Sequence, residues 1–387
     1  MTTIHTRAKR AWPPLWPLLC GVLLLASCAP RGGVSPDAHP KARAVVNALG
    51  AAYAARPEIA GLSLAVLRKG EETPICAAFG SACLENAVPM TPETRCKIGS
   101  VTKVYTAALI HRLMEEGRLA PHTPLSRFFP DFPYGGIITV QHLLEHTSGL
   151  ADMLQLAPVR ADLTRAFSAE EIMRMAGKEP LAFAPGTRQA YCNTGYVILA
   201  LLTEKITGQT YAAQVRKMFV EGLGMRGLVV GEDAAVTPRL ACGYTRLNGQ
   251  FRLPLAASIS VALGTGDLVA TPADVVRLVN LDRMLQKDVF ATLPLAPLVL
   301  PDGQEALSPV QEEGYSTSEL DGCTFFRFTD PPLEVLGKLG LFPGFGTVYM
   351  YDRQTRCAVA VSVNNEKATP LAVALAVDVL RALRRAQ

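Results

Sequence analysis

Several features that would assign this 387-residue chain to a functional class are missing from its sequence. It contains no basic run and no basic patch interleaved with aromatic residues, so a nucleic-acid partner is not indicated. It has no internal repeat and no sustained low-complexity tract, so a repeat architecture is not expected. Charged residues make up 19% and hydrophobic residues 49% of the chain, which is the balance of an ordinary globular protein.

The nine cysteines include no Cys-x-x-Cys pair. Two of them lie in the first 28 residues, and the other seven permit disulfides if the protein is exported to an oxidising compartment. Because seven is an odd number, at least one of these thiols stays free. Cys83 and Cys96 either pack separately or form a bridge, and the pairing cannot be deduced from the sequence.

The N-terminus lacks an apolar run long enough to cross a bilayer. Residues 11–26 are apolar, but prolines interrupt them and they fall short of the ~20 apolar residues of a spanning helix. Arg7, Lys9 and Arg10 precede this run, so residues 1–27 predict a signal peptide.

The end of this segment, Leu25-Ala26-Ser27-Cys28, resembles the processing box of bacterial lipoproteins. The resemblance implies that Cys28 is lipidated and becomes the mature N-terminus, with residues 28–40 as a tether. No Asp follows Cys28, so we expect a lipid anchor in the outer membrane, with the protein facing the periplasm. The alternative is an ordinary cleaved signal peptide whose cysteine is accidental.

One internal stretch carries the residues for nucleophilic catalysis. Ser100 and Lys103 lie three residues apart where residues 101–114, apolar on most sides, predict a buried helix. Positions i and i+3 share a helix face, so the amine lies beside the hydroxyl and can take its proton. Ser-x-x-Lys is expected about once by chance in a chain of this length, so the pattern alone is only a hypothesis.

The remaining patterns predict strands near both ends of the chain and helices between them. The predicted helices cover residues 41–55, 139–144, 168–175, 196–206, 272–285 and 369–384. The predicted strands cover residues 62–67, 74–80, 333–341, 347–352 and 358–364. Residues 290–332 give no clear signal. The fold class is therefore α/β of the α+β type, with an antiparallel sheet formed from both chain ends and flanked by helices. Residues 41–387 form the domain, with a mostly helical insertion at about residues 105–285.

Five segments in the same order resemble the serine β-lactamase and penicillin-binding-protein superfamily, especially its branch of class C β-lactamases, D,D-peptidases and family VIII esterases. They are Ile98-Gly-Ser-Val-Thr-Lys103, Leu143-Leu-Glu-His-Thr-Ser-Gly-Leu150, Pro185-Gly-Thr with Tyr191-Cys-Asn-Thr-Gly-Tyr196, residues 264–274, and Gly337-Lys-Leu-Gly with Pro343-Gly-Phe345. The resemblance implies a β-lactamase/transpeptidase-like fold and a serine hydrolase without a cofactor.

The resemblance also implies a role for several residues. Ser100 is the nucleophile, and either Lys103 or Tyr191 is the general base. Asn193 contacts both the substrate amide and Lys103.

The strand that carries Lys338 and Gly340 is implied to line the site and bind an extended substrate. The N–H groups of Ser100 and Leu341 are implied to form the oxyanion hole. Leu339 stands where lactamases usually have a hydroxyl, a departure that argues against efficient β-lactam hydrolysis.

Two other patterns in the same region need an interpretation. His142-Leu-Leu-Glu-His146 fits the inverted zinc-peptidase motif, but the other four histidines offer no obvious third ligand, so no metal is expected. His146 is also a candidate base for Ser148, whereas the Thr-Ser-Gly that follows His146 is typical of a turn or helix cap.

We expect an exported serine hydrolase that forms an acyl-enzyme on Ser100. The expected substrates are peptide-like amides of the cell wall, such as the D-alanyl peptides of peptidoglycan, or β-lactams. The alternatives are a family VIII-type esterase and a non-catalytic binding lipoprotein. The presence of Ser100, Lys103 and Tyr191 together argues against the non-catalytic alternative. No feature of the sequence indicates the oligomeric state.

Overall fold

A nine-stranded antiparallel sheet forms the centre of the computed structural model, which describes residues 39–310 and 314–386. The predicted signal peptide, Cys28 and most of the tether lie outside the described residues. The strands are β1 Gly61–Arg68, β2 Ile75–Cys83, β3 Val88–Pro89, β4 Cys96–Lys97, β5 Val229–Val230, β6 Thr245–Leu247, β7 Gln250–Arg252, β8 Leu268–Ala270, β9 Ser308–Val310, β10 Tyr315–Leu320, β11 Cys323–Thr329, β12 Pro332–Phe342, β13 Phe345–Asp352 and β14 Cys357–Val363.

The helices lie mostly between β3 and β9. They are α1 Pro40–Ala54, α2 Thr102–Glu115, α3 Val140–Leu144, α4 Ala157–Ala161, α5 Ala169–Ala176, α6 Asn193–Thr207, α7 Tyr211–Val215, α8 Pro272–Val275, α9 Val289–Thr292 and α10 Thr369–Arg385. Short 3₁₀ segments cover Gly99–Val101, Leu125–Arg127, Met153–Gln155, Ser260–Ala262, Val276–Arg283 and Glu366–Ala368, and a π-helical turn covers Arg216–Glu221. Among the described residues, none of the helices combines the length and apolarity needed to cross a membrane.

Strands from both ends of the chain share the large sheet, as the sequence predicts. Its order is β3-β2-β1-β14-β13-β12-β11-β10-β9, and β1 pairs with β14 through the register Leu62↔Val363 to Arg68↔Cys357. The two chain ends therefore meet in the middle of one sheet, and the helices lie on its two faces.

Helix α2 is enclosed between the sheet and the other helices. Eleven of its 14 residues are buried, and Tyr105 packs edge-on against Phe219 with ring centroids 4.8 Å apart. Helices α1 and α10 cover the opposite face of the sheet. Their side chains, among them Val46 and Leu375, form an apolar cluster with the residues of that face. Because α2 is surrounded by apolar side chains, the residues at its N-terminus are held rigidly.

Three predictions about local structure were incomplete or wrong. Residues 272–285 do not form one helix, because the backbone of Asn280 adopts non-helical φ and ψ angles. The Asn280 side chain instead accepts a hydrogen bond from the Gly70 N–H at 2.8 Å and donates one to the Glu71 carbonyl at 2.9 Å. Residues 290–332, which gave no signal, contribute strands β9–β11. Cys83 is bonded to Cys242, and not to Cys96, which is buried and free.

Candidate active site

Ser100 lies in the 3₁₀ turn that leads into α2, directly against strand β12. Gly99 adopts φ +50°, and a Cβ atom at this position would lie 2.6 Å from the Leu341 nitrogen. A Cβ atom on Gly340 would lie 1.9 Å from the Ile98 carbonyl oxygen. Both positions therefore require glycine, and their contact brings the Leu341 backbone beside Ser100, where the resemblance implies an oxyanion hole.

The Lys103 amine is completely buried and points at Ser100. Its Nζ lies 3.0 Å from Ser100 Oγ, 2.8 Å from Asn193 Oδ1 and 2.9 Å from the Thr265 carbonyl oxygen. Burial, followed by the neighbouring Lys338 ammonium, holds the pKa of Lys103 well below its ordinary value. The lowered pKa favours the neutral amine, which is the form that can accept a proton.

The three contacts of Lys103 match the bonding capacity of a neutral amine at this site. Two N–H groups are directed at oxygens that can only accept, namely Asn193 Oδ1 and the Thr265 carbonyl. The third position, where a neutral amine carries its lone pair, faces the Ser100 hydroxyl. This arrangement suits removal of the Ser100 proton.

The Tyr191 hydroxyl donates a 2.6 Å hydrogen bond to Ser100 Oγ. The Tyr191 side chain is 42% exposed, and burial of the rest of it, together with the negative charge of Glu319, raises its pKa well above the ordinary value. Tyr191 is therefore held as a phenol that donates a proton. The phenolate expected if Tyr191 were the base is disfavoured.

The Lys103 amine, the Lys338 ammonium and an imidazole lie against the Tyr191 ring. The Nζ atoms of Lys103 and Lys338 lie 4.8 Å and 5.1 Å from its centroid, and the Lys338 ammonium is at a distance where a cation is attracted to a π face. The His146 ring stacks on Tyr191 with centroids 4.5 Å apart and planes 22° apart. These contacts hold the ring in the orientation that directs its hydroxyl at Ser100.

Asn193 begins α6 and connects Lys103 to the helical part of the fold. Asp152 Oδ2 accepts hydrogen bonds from the Asn193 backbone N–H at 2.5 Å and from its side-chain NH₂ at 3.0 Å. Asn193 Oδ1 then accepts from Lys103 and from the Thr265 hydroxyl, the latter at 2.9 Å. The amide is thus oriented from both ends.

Lys338 is buried on β12 and paired with a carboxylate that sequence reasoning missed. Its ammonium donates to Glu319 of β10 and, at 3.3 Å, to the Thr324 hydroxyl of β11. Gln189 holds the Glu319 backbone through bonds of 2.8 Å and 3.1 Å. No local pattern identifies Glu319, because it lies in the region where the sequence predicted no elements.

The structure changes the interpretation of Leu339. Strand alternation places Leu339 on the face opposite Lys338, where it packs against the cluster under α1 and α10. Its side chain therefore does not point toward Ser100. The missing hydroxyl at this position therefore leaves the choice of substrate open.

The paired histidines have separate local partners. His142 Nδ1 accepts from the Thr139 N–H at 3.2 Å in a capping box at the start of α3. His146 Nδ1 accepts from the Cys192 N–H at 2.9 Å, and burial holds the pKa of His146 well below its ordinary value. Ser148 Oγ accepts from the Leu150 N–H at 3.4 Å, as in a turn.

The structure thus brings together Ser100, Lys103, Tyr191 and Asn193 through direct hydrogen bonds, with Gly340, Leu341 and Lys338 of β12 alongside. Three supporting residues were not predicted from the sequence: Asp152, Thr265 and Glu319. Asp152 and Thr265 each lie within or next to a segment that carries the resemblance, so their position was the available signal.

Comparisons with known proteins identify the family and the fold. A family profile described as Beta-lactamase matches residues 46–384. Penicillin-binding protein 4* of Bacillus subtilis (strain 168) is 34% identical over 150 residues, which cover 38% of this chain and 33% of the relative. Esterase EstB of Burkholderia gladioli is 33% identical over 199 residues, which cover 47% of this chain and 50% of the relative. The chain thus spans half or less of the length of these two curated relatives.

A solved structure covers much more of the chain. The D-amino acid amidase from Ochrobactrum anthropi SV3, complexed with L-phenylalanine amide, superimposes with a TM-score of 0.74 at 26% sequence identity. The match covers 89% of this chain and 99% of that one. The fold and the order of its elements are therefore shared along nearly the whole of the amidase.

Proposed function

The chain belongs to the Beta-lactamase family, and from this premise we propose that it is a serine hydrolase that cleaves D-alanyl amides of cell-wall peptides through an acyl-enzyme on Ser100. The observation that carries the proposal is the convergence of the Lys103 amine and the Tyr191 hydroxyl on Ser100 Oγ, at 3.0 Å and 2.6 Å. The acyl group is proposed to be a D-amino acid because the amidase that superimposes on the chain is named for D-amino acids.

The first chemical step follows from the proton positions. Lys103, as a neutral amine, accepts the Ser100 proton while Oγ forms a bond to the scissile carbonyl carbon. The carbonyl oxygen becomes an anion, and the N–H groups of Ser100 and Leu341 are proposed to stabilise it. Each such donor contributes a factor of about 10²–10³ to the rate in other acyl-transfer enzymes.

Collapse of this intermediate breaks the bond to the leaving nitrogen, which must be protonated. Tyr191 is a protonated phenol within hydrogen-bond reach of Oγ, so it can give its proton to the amine and recover one from Lys103. Water then attacks the Ser100 ester, with the same two groups moving a proton in the reverse sense. The products are a free amine and a D-amino-acid carboxylate, and Ser100 is regenerated.

An ester substrate is the second candidate, and the similarity to Esterase EstB favours it. The two candidates differ in the leaving group only, since both acylate Ser100. They are separated by kcat/KM for N-acyl-D-alanyl-D-alanine and for the corresponding ester of D-lactate.

The experiment that tests the proposed function compares D- and L-alanyl substrates with the same acyl and leaving groups. We expect release of D-alanine from N-acyl-D-alanyl-D-alanine, little release from the L,L-dipeptide, and no release by Ser100→Ala. Cleavage of the ester alone would assign the esterase function. Absence of turnover of every amide, ester and β-lactam would overturn hydrolysis as the function.

We also propose that the protein acts outside the cytoplasm, anchored to the membrane by a lipid on Cys28. The charged and apolar segments of residues 1–27 support export, and so does the disulfide between Cys83 and Cys242, since disulfides persist in oxidising compartments. Mass spectrometry of the mature N-terminus tests the anchor. A diacylglyceryl group on Cys28, and release of Cys28→Ala from the membrane fraction, are the expected results; an unmodified cysteine contradicts the proposal.

A further inference from the structure

A cavity of about 580 Å³ lies beyond the C-terminal end of β12. Its walls are mainly apolar, and the disulfide between Cys83 and Cys242 forms part of them. Its apolar lining includes Leu240, Leu253, Pro254, Leu255, Phe342 and Phe345. Two charged side chains, Lys97 and Glu85, also line it.

The Lys97 ammonium is partly buried beside an aromatic ring. Its Nζ lies 4.3 Å from the centre of the Phe342 ring, and no described residue offers it a hydrogen-bond acceptor or a carboxylate within bonding distance. Burial lowers the pKa of Lys97, while the charge of Asp233 acts in the opposite sense. Partial desolvation of a charge is unfavourable, and an anion bound beside Lys97 would relieve that cost.

Asp233, whose charge acts on Lys97, and Glu85, which lines the cavity, are hydrogen-bonded to other groups. Asp233 accepts from the Ser258 hydroxyl at 2.5 Å and from the Ile259 N–H at 2.7 Å. Glu85 accepts from the Tyr244 hydroxyl. Among the described residues that line the cavity, Lys97 supplies the positive charge.

Two residues of the cavity lie close to the reaction centre along the chain. Lys97 precedes Ser100 by three residues, which span at most about 10 Å of extended chain. Phe342, in the wall of the cavity, follows Leu341, whose backbone lies against Gly99. A group attached to the acyl part of a substrate on Ser100 can reach Lys97 across this distance.

We propose that this cavity binds the non-reacting end of the acyl group and that it selects a carboxylate carried on an apolar stem. The carboxylate pairs with Lys97, and the stem lies against the apolar walls, where Leu253 and Leu255 are 77% and 68% exposed. One ammonium in an apolar enclosure matches a single negative charge better than a phosphate dianion, which needs several donors. This substrate preference rests on the proposed acylation of Ser100.

The kinetic test uses two N-acyl-D-alanyl-D-alanine substrates that differ in one group. One carries an N-glutaryl chain that ends in a carboxylate, and the other carries the neutral glutaramide. We expect the wild-type protein to prefer the carboxylate by about tenfold or more in kcat/KM, the effect of one charged hydrogen bond. Lys97→Gln should reduce the preference to below about twofold, mainly through a higher KM for the glutaryl substrate, and leave the neutral substrate nearly unchanged.

Two further variants separate binding in the cavity from general effects. Lys178→Gln removes the same charge from an exposed surface position and should keep the preference. Ala256→Trp places a large side chain at an exposed position of the cavity lining. It should weaken binding of the glutaryl substrate without changing the thermal midpoint of unfolding. A carboxylate preference that survives both Lys97→Gln and Ala256→Trp, or no preference in the wild type, overturns the proposal.

A binding measurement tests the cavity independently of hydrolysis. Calorimetry with Ser100→Ala measures the affinity for N-glutaryl-D-alanine and for its glutaramide analogue without turnover. Weaker binding of the carboxylate ligand in Ser100→Ala/Lys97→Gln supports the cavity even if the wild type hydrolyses neither peptide. Equal affinity for both ligands in Ser100→Ala contradicts it, whatever the activity.

Discussion

Asp152 binds Asn193 at two points: its Oδ2 accepts from the backbone N–H at 2.5 Å and from the side-chain NH₂ at 3.0 Å. The two donors fix which way the amide faces, so Oδ1 is left to accept from Lys103 at 2.8 Å. The orientation of the proposed base therefore depends on a carboxylate that does not contact Ser100.

Asp152→Ala should lower kcat by about 10²-fold while KM changes little, since small misplacements of catalytic groups have costs of that size. Asp152→Asn keeps an oxygen acceptor and should retain more activity than Asp152→Ala. Steady-state kinetics with an N-acyl-D-alanyl ester give both values, and the thermal midpoint shows whether each variant is folded. Wild-type kcat in a folded Asp152→Ala would show that Asp152 has no positioning role.

Replacing Tyr191 by phenylalanine should affect amides more than activated esters. An amine leaves only after protonation, whereas p-nitrophenolate leaves without it, so the loss of the phenol proton matters mainly for amides. We expect Tyr191→Phe to reduce kcat/KM for the D-alanyl amide by about 10²–10⁴-fold. The loss for a p-nitrophenyl ester should be at least about tenfold smaller. Equal losses for the two substrates would indicate that Tyr191 acts on a step other than leaving-group departure.

The acid limb of the pH–rate profile should follow Lys103. Protonated Lys103 cannot accept the Ser100 proton, so kcat/KM falls as the pH decreases through the lowered pKa of Lys103. The Lys338 ammonium lowers that pKa and the Glu319 carboxylate raises it. Lys338→Met should therefore move the acid limb to higher pH, and Glu319→Gln should move it to lower pH.

These shifts are best measured with an uncharged ester, so that the substrate itself does not titrate. Shifts in opposite directions support Lys103 as the group that must be neutral. An acid limb that stays at the same pH in both variants assigns it to another group.

The disulfide should contribute to stability because it joins positions 159 residues apart. A cross-link of this kind restricts the unfolded chain, and removal of a native disulfide commonly costs about 2–4 kcal/mol. We expect Cys83→Ser/Cys242→Ser to unfold at a lower urea concentration than the wild type. A reducing agent should lower the wild-type midpoint to that of the variant and leave the variant unchanged; identical midpoints in all four measurements would contradict this contribution.

Local patterns predicted much of the architecture. The apolar runs that became β1, β13 and β14 are fully or almost fully buried, and such runs identify central strands without further information. The Thr271-Pro272 pair predicted a helix start, and the structure has a capping box there. These signals are local, so the sequence alone is sufficient to find them.

The remaining features depend on contacts between distant parts of the chain. Glu319 is recognised as part of the site only when β10 and β12 lie on either side of β11 in the folded sheet. The helical pattern after Pro272 gives no hint that Asn280 will bind the turn at Gly70, 210 residues away. The sequence alone does not identify Cys242 as the partner of Cys83 for the same reason, because the pairing depends on the folding of the whole chain.

Mass spectrometry of the protein during turnover tests the central claim most directly. The wild-type protein is quenched in acid while it hydrolyses an N-acyl-D-alanyl thioester, and the modified peptide is sequenced by fragmentation. We predict one added N-acyl-D-alanyl group, on Ser100, and an unmodified but folded Ser100→Ala. An adduct on any other residue, or an adduct that persists in Ser100→Ala, would contradict the assignment of Ser100 as the nucleophile.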